Sequence, residues 1–483
     1  MFDVRPVGYV IGLLVAALGV TMFAPLLADV VAGNGHWPVF LESAVITVLV
    51  GGLVALACQN GVSEGLTIRQ TFLLTTLVWL ALPLFGSLPF ILGGAELDFT
   101  DAFFEAMSGL TTTGSTVITG IEELPEGLKL WRGVLQWLGG IGIIVVAMVF
   151  LPELRVGGMQ IFRSEGFDTM GKILPRATEI SSRISVIYVG LTLACAITYS
   201  ALGMDFFDAI IHAMTTIATG GFANYDSSFG QFGSGVEYAG VVFMMLAALP
   251  FVRYVQLISG GGATPILRDS QIRTFFVVAG VLVLLISVWQ WSLSAVMTET
   301  AFRQSLFNVV SILTGTGYAS ADYMQWGPFA VTMFFFIGLI GGCAGSTACS
   351  VKIFRYQLLF ASIKAQIRRI HSPHGIFTPR YQGRPVSDDV LNSVMAFFVA
   401  FMVAIGVVGV LLALTGLDFI TSISGAATAL ANVGPGLGNE IGPAGSFAGL
   451  NDAAKWILAF AMLVGRLEIM AVFTILSWHF WRA

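Results

Sequence analysis

Four short segments of threonine, glycine, alanine and asparagine recur along this 483-residue chain, and each ends on glycine. They read Thr111-Thr112-Thr113-Gly114, Ala218-Thr219-Gly220-Gly221, Thr314-Gly315-Thr316-Gly317 and Ala431-Asn432-Val433-Gly434. Successive final glycines are 107, 96 and 117 residues apart. Each tetrad follows a short helix-like run: residues 101–110, 208–217, 302–313 and 419–430. Asp101 and Asp208 both stand 13 residues before their glycine, and Met107 and Met214 both stand seven before it. An acid near a helix start is favourable through capping and through the helix dipole. A unit repeated about every hundred residues constrains the fold more than any single motif does.

The residues between the tetrads say what surrounds them. The chain is 56% hydrophobic and 11% charged, with a mean hydropathy of +0.86. Apolar runs of about 20 residues recur throughout, each long enough to cross a hydrocarbon core of about 30 Å. This excludes a set of soluble domains and implies a polytopic helical membrane protein. The 56 glycines fit close helix packing. Cys58, Cys195, Cys343 and Cys349 lie in or beside apolar segments, which argues against a disulfide framework. The first run, residues 7–31, is too long for a signal-peptide core and reads as a retained helix.

The expected fold is an all-α membrane protein with four pseudo-repeated helix–pore-helix–filter–helix units around a central pore. Two N-terminal transmembrane helices, 7–31 and 39–58, precede them in residues 1–66. The units span 67–178, 179–270, 271–386 and 387–483. Their spanning helices are expected at 70–92 and 130–150, 185–202 and 236–257, 275–297 and 329–360, and 394–414 and 453–480. The short runs cover only half a bilayer. Non-helical backbone persists at membrane depth only where it is buried or lines water, so the tetrads are expected to line a cavity.

With the tetrads facing outward, four basic residues fall outside: Lys129, Arg132, Arg303 and Lys455. Eighteen acidic residues fall there too, against nineteen basic and ten acidic residues inside. That bias sets the N-terminus in the cytoplasm. The acidic vestibule would concentrate cations at the mouth without choosing among them.

Two features below the tetrads suggest a barrier. Residues 329–360 would extend about 48 Å as one helix, beyond the hydrocarbon core. In the middle stand Gly341, Gly342, Cys343, Ala344, Gly345, Ser346 and Thr347, poor helix formers and good loop formers. A mobile constriction is one reading and a kinked helix packing small residues is the other. In the fourth unit, Arg466 and Glu468 interrupt an apolar helix. A charge at that depth is costly and usually faces water or a partner. A pore-facing Arg466 would repel cations; pairing with Glu468 is the alternative, although residues two apart do not face each other on a helix.

The segment Leu313–Tyr318, LTGTGY, is similar to a potassium-channel filter, where carbonyl oxygens replace an ion's hydration shell. Together with TTTG, ATGGF, ANVGPGLG, the interrupted third-unit helix and the GRLEIM stretch at residues 465–470, it gives a chain that resembles the TrkH family. These are pore subunits of bacterial Trk potassium uptake in the Trk/Ktr/HKT superfamily. The resemblance covers nearly the whole chain, including the two extra N-terminal helices. It implies a K+-selective pore, coordination of K+ by filter backbone carbonyls, no organic cofactor and a multi-pass place in the cell inner membrane. It further implies a homodimer and a cytoplasmic TrkA-like nucleotide-binding ring that regulates gating. By the same resemblance Gly114, Gly221, Gly317 and Gly434 are the filter glycines, 341–347 the gate loop and Arg466 the pore arginine. Relatives that favour Na+ can carry serine at the first of these positions, where this chain has Gly114.

Remaining motifs point nowhere else. Gly434–Gly438 (GPGLG) follows no strand and opens no βαβ unit, so it is not a dinucleotide loop. His371 and His374 are separated by Pro373 and lack a third metal ligand nearby. The basic stretch 364–369 suits lipid headgroups or a docking partner rather than nucleic acid. No arrangement resembles an enzyme's. A Na+-permeable pore of the same superfamily and a secondary transporter with broken helices are the competing readings.

Overall fold

Four short helices enter the bundle from one side and stop near its centre. In a computed structural model, which describes residues 3–61, 66–95, 97–149, 177–262, 264–294, 298–467 and 469–482, they span Phe99–Leu110, Phe206–Ile217, Glu299–Thr314 and Phe419–Ala431. Their N-termini are capped by side chains. Asp98 accepts from the Asp101 amide (2.8 Å), Asp205 from Phe207 (3.1 Å), Thr298 from Ala301 (3.1 Å) and Asp418 from Ile420 (3.0 Å). The caps are therefore Asp98 and Asp205, three residues ahead of the acids that the repeat singles out. Asp101 instead pairs with Lys455, while Asp208 accepts from Asn224 Nδ2 and the Tyr225 hydroxyl, both at 2.7 Å.

Longer helices surround these four. Arg5–Ala32, Trp37–Gly61, Ile68–Leu92, Ser181–Ala201, Ser270–Leu293 and Asp388–Leu414 are each long and apolar enough to cross a membrane. Their outward faces carry exposed Leu53, Ile197, Val277, Leu284, Val399 and Val407, a surface suited to lipid rather than water. The two N-terminal helices approach closely, because a Cβ on Gly12 or Gly51 would press into the partner backbone at Ala55 or Ala16. Asp29 ties this pair to the first unit, accepting from the Gly127 amide at 2.7 Å.

The second helices of three units are broken, where the sequence implied one break. In the third unit, Gly327–Gly338 and Ile353–His371 flank a loop running from 339 to 352, longer than the expected 341–347. In the second unit, expected as one helix over 236–257, Ser234–Ala247 and Phe251–Gly260 meet at 87°. Pro250 at the junction has no amide hydrogen to continue the ladder. In the fourth, Asp452–Arg466 and Ile469–Leu476 meet at 108°, so Arg466 ends a helix instead of lying within one. Glu468 lies outside the described residues, as do residues 150–176 at the junction of the first two units.

The breaks of units two and three join. The Cys343 amide donates to Ala248 O (3.0 Å), Phe251 N–H to Gly345 O (2.9 Å) and the Thr347 hydroxyl to Ala247 O (3.0 Å). A Cβ at Gly341 would overlap Cys349 O, and one at Gly342 would lie 2.6 Å from the Ala348 Cβ. Small residues are thus required for packing as well as for the turn.

Candidate functional site

All four pore helices end in the same way. The amides of Thr112, Thr219, Gly315 and Asn432 each reach back to the third carbonyl before them, at 3.0, 3.0, 3.1 and 3.3 Å. The amides of the next residues, Thr113, Gly220, Thr316 and Val433, each reach back five residues, at 2.9, 2.9, 2.9 and 3.1 Å. This is the Schellman cap, which places its turning residue in the left-handed region. Accordingly φ is +52° at Thr112, +52° at Thr219, +73° at Gly315 and +51° at Asn432. A β-branched threonine there is an outlier costing on the order of 1–3 kcal/mol, and such strain concentrates at functional sites. The final glycines are left-handed too: +86°, +78°, +83° and +108° at Gly114, Gly221, Gly317 and Gly434.

This alternation brings the tetrads edge to edge in a closed ring. A Cβ added to Gly114 would overlap the carbonyl oxygen of Gly220, one on Gly221 that of Thr316, and one on Gly317 that of Val433. The circuit closes on the first unit, because a Cβ on Gly434 would lie 2.7 Å from Thr113 O. Each fourth-position glycine therefore abuts the third-position carbonyl of the next unit. Above the ring the four glycines open into a cavity of about 160 Å³ that also includes Thr116, Arg132, Tyr225 and Asp226. The pore helices point their C-terminal, partially negative ends at this centre, a field that favours cations.

Three of the four outer basic residues are paired with carboxylates and so do little to cancel that field. Arg303 pairs with Glu237 and Glu299 and Lys455 with Asp101, while the exposed Lys129 donates to the Glu122 backbone carbonyl and keeps its charge. Arg132 is buried against Glu105 at 2.9 Å and donates to Ala223 O at 2.7 Å. Glu105 in turn accepts from Val117 N–H and the Thr116 hydroxyl, both at 3.0 Å, so this pair braces the strand after the first tetrad. Arg132→Met would strand Glu105 as a buried, unpaired charge. It is expected to cost roughly 3–5 kcal/mol, seen as a lowered unfolding midpoint of the purified protein.

Beneath the ring, sequence-predicted residues meet ones the sequence did not single out. Residues 341–347 dock on the second-unit break; the chain under the tetrads is Cys349 and Ser350. Their amides donate to the first-position carbonyls of Thr314 (3.4 Å) and Ala431 (2.9 Å). Arg466, 5% exposed, donates through Nη1 to Cys349 Sγ (2.9 Å) and through Nη2 to Gly139 O (3.3 Å), with its guanidinium 5.7 Å from the Trp79 ring centre. Its Nε has no partner among the described residues. Arg466 is thus held to the loop rather than standing free.

Other unpredicted contacts lie beside the ring. Tyr318 donates from its hydroxyl to His212 O (3.2 Å) on the second pore helix, and Ser115 Oγ donates to Gly434 O (2.8 Å). Gln136 Nε2 donates to Gly220 O at 2.6 Å. A glutamine and an arginine four residues apart in the apolar run 130–150 were the available signal, since polar groups at that depth have reasons to be there.

A membrane bundle that encloses a closed ring of backbone carbonyls, with four helix C-termini directed at it, defines a cation-transport protein. The family model described as "TrkH: Cation transport protein" matches residues 36–479, and the chain belongs to that family. It is 43% identical to the Trk system potassium uptake protein TrkI of Halomonas elongata, over 99% of this chain and 97% of that one. It is 35% identical to the Trk system potassium uptake protein TrkH of Escherichia coli, over 99% of both. The crystal structure of the potassium transporter TrkH from Vibrio parahaemolyticus superposes with a TM-score of 0.91 at 34% identity, covering both chains fully.

Proposed function

We propose that this protein is the pore subunit of a potassium-uptake system and that the four tetrads are its selectivity filter. The observation that carries the reading is the closed ring, in which each fourth-position glycine abuts the next unit's third-position carbonyl. Such a ring can exchange a cation's water shell for backbone oxygens. The names of the full-length relatives support K+ as the ion.

In this reading Cys349, Ser350 and Arg466 form the gate. The loop amides engage carbonyls at the inner end of the ring, and the guanidinium adds a positive charge beneath it. Removing residues 341–347 takes away the anchors to Ala247, Ala248 and Phe251. It is expected to raise basal Rb+ flux without changing K+ over Na+ preference. Loss of flux in a correctly inserted protein would instead make the loop a structural kink.

The assembly belongs to the same proposal: a homodimer in the inner membrane, N-terminus cytoplasmic, regulated by a cytoplasmic TrkA-like nucleotide-binding ring. The deciding experiment measures K+, Rb+ and Na+ uptake in cells lacking their own K+ uptake. K+ and Rb+ uptake with little Na+ uptake is expected. Comparable Na+ uptake would make it a Na+-permeable relative, and uptake of none of the three would end the reading.

A further inference from the structure

We propose that Gln136 is a positioning residue for ion selection: its side-chain amide sets the Gly220 carbonyl, doing for the second tetrad what a pair of threonine hydroxyls does for the first and third. This rests on the filter reading above and deepens it. In the first tetrad, Thr111 and Thr113 share a hydroxyl–hydroxyl bond of 2.8 Å, and Thr111 donates to Met107 O at 2.7 Å. In the third, Thr314 and Thr316 repeat the bond at 2.8 Å, with Thr314 donating to Ser311 O at 3.1 Å. First- and third-position side chains thus brace these tetrads from within.

The second tetrad has Ala218 and Gly220 at those positions, with no hydroxyl at either, and its Thr219 hydroxyl donates to Ala218 O (2.7 Å) instead. Gln136, fully buried, comes from the helix Glu126–Val149 of the preceding unit and occupies the vacant space. Its Nε2 donates to Gly220 O at 2.6 Å, and its Oε1 accepts from the Phe222 amide at 3.1 Å. The amide therefore spans the final glycine, fixing the peptide units before and after it. A Cβ on Gly220 would overlap the Gln136 side chain, which explains glycine at a position whose φ does not require it. Gln136 and Gly220 are one device written in two places.

The helix itself is registered on this strand. Arg132, one turn earlier, donates to Ala223 O and lies 4.2 Å from the Phe222 ring centre. Gly140, one turn later, gives way to Ala218, because a Cβ there would lie 2.9 Å from the Ala218 Cα. Residues four apart share a helix face, so this stripe holds Gln136 at a fixed height. Among the described residues, no side chain donates to the third-position carbonyls of Thr113, Thr316 or Val433. In the fourth tetrad the third position is the buried Val433, and Asn432 Nδ2 donates to Thr113 Oγ1 (2.9 Å) and Met462 O (2.9 Å).

The test uses Gln136→Met, which keeps length and volume and removes both hydrogen bonds, with Gln136→Leu as a second variant. Purified full-length protein in liposomes is assayed for Rb+ and Na+ influx, with insertion and unfolding midpoint measured alongside. A net hydrogen bond contributes about 1 kcal/mol, so K+-type over Na+ preference is expected to fall roughly fivefold. Insertion is expected to match the parent's while the ratio of Rb+ to Na+ influx falls, a split that a purely structural role would not give. Either variant reaching the membrane suffices. An unchanged preference, or a fall in both fluxes together, overturns the proposal when Gly114→Ser in the same liposomes does lose selectivity. If Gly114→Ser also leaves preference unchanged, the filter reading fails first and this inference with it.

Discussion

Gly114→Ser is expected to lower the preference for K+ over Na+ by about tenfold or more while the protein still inserts. Gly114 sits at φ +86°, and a Cβ there would run into the carbonyl oxygen of Gly220. Holding a non-glycine residue left-handed costs on the order of 1–2 kcal/mol. The overlap adds to this, and the chain relieves both by moving one carbonyl or the other. Since about 1.4 kcal/mol is a factor of ten in an equilibrium, even partial relief at a carbonyl of the proposed filter reaches that scale. Rb+ and Na+ influx into liposomes, with protein content checked separately, decides it. An unchanged ratio would take Gly114 out of the filter.

The second large effect is expected at Arg466. Two unit charges about 8 Å apart at an effective dielectric of about 20 repel by roughly 2 kcal/mol, on the order of a thirtyfold effect on occupancy. Arg466→Ala removes that charge together with the bonds to Cys349 Sγ and Gly139 O, and Rb+ flux should rise toward that limit. On charge alone, Arg466→Lys would keep the barrier. The two contacts change that expectation: a lysine retains the charge but lacks the planar fork that reaches both partners. Its flux should fall between those of the parent and the alanine variant. If Ala and Lys variants both match the parent, Arg466 lies off the ion path.

The parts legible in the sequence are those that repeat. Tetrads and pore helices stand out because four copies share a spacing, and the left-handed glycines follow from residue type. Arg466 was legible as a charge in an apolar run, although its tie to Cys349 was not, since the two are 117 residues apart. The breaks at Pro250 and Arg466 were missed because hydropathy counts apolar residues without regard to chain direction, and a bent pair scores like a straight helix. Pro250 was the available signal. The caps at Asp98 and Asp205 were displaced onto Asp101 and Asp208, whose spacing is equally regular but whose side chains serve ion pairing and a local network. Gln136 was hidden most deeply, because its meaning lies in what Gly220 lacks.

The four tetrads are joined in one polypeptide, and this has a consequence for how such a pore is adjusted. Where four identical chains build a ring, any mutation is made four times over, and a carbonyl is either kept or lost all the way round. Here the quarters are braced differently: by threonine pairs in the first and third, by a glutamine from the neighbouring unit in the second, and in the fourth by Asn432, whose Nδ2 donates to Thr113 Oγ1. A single codon change acts on one quarter and on the neighbour it abuts, not on all four at once. In the proposed filter, discrimination between ions of the same charge can then change unevenly round the ring rather than in four equal parts.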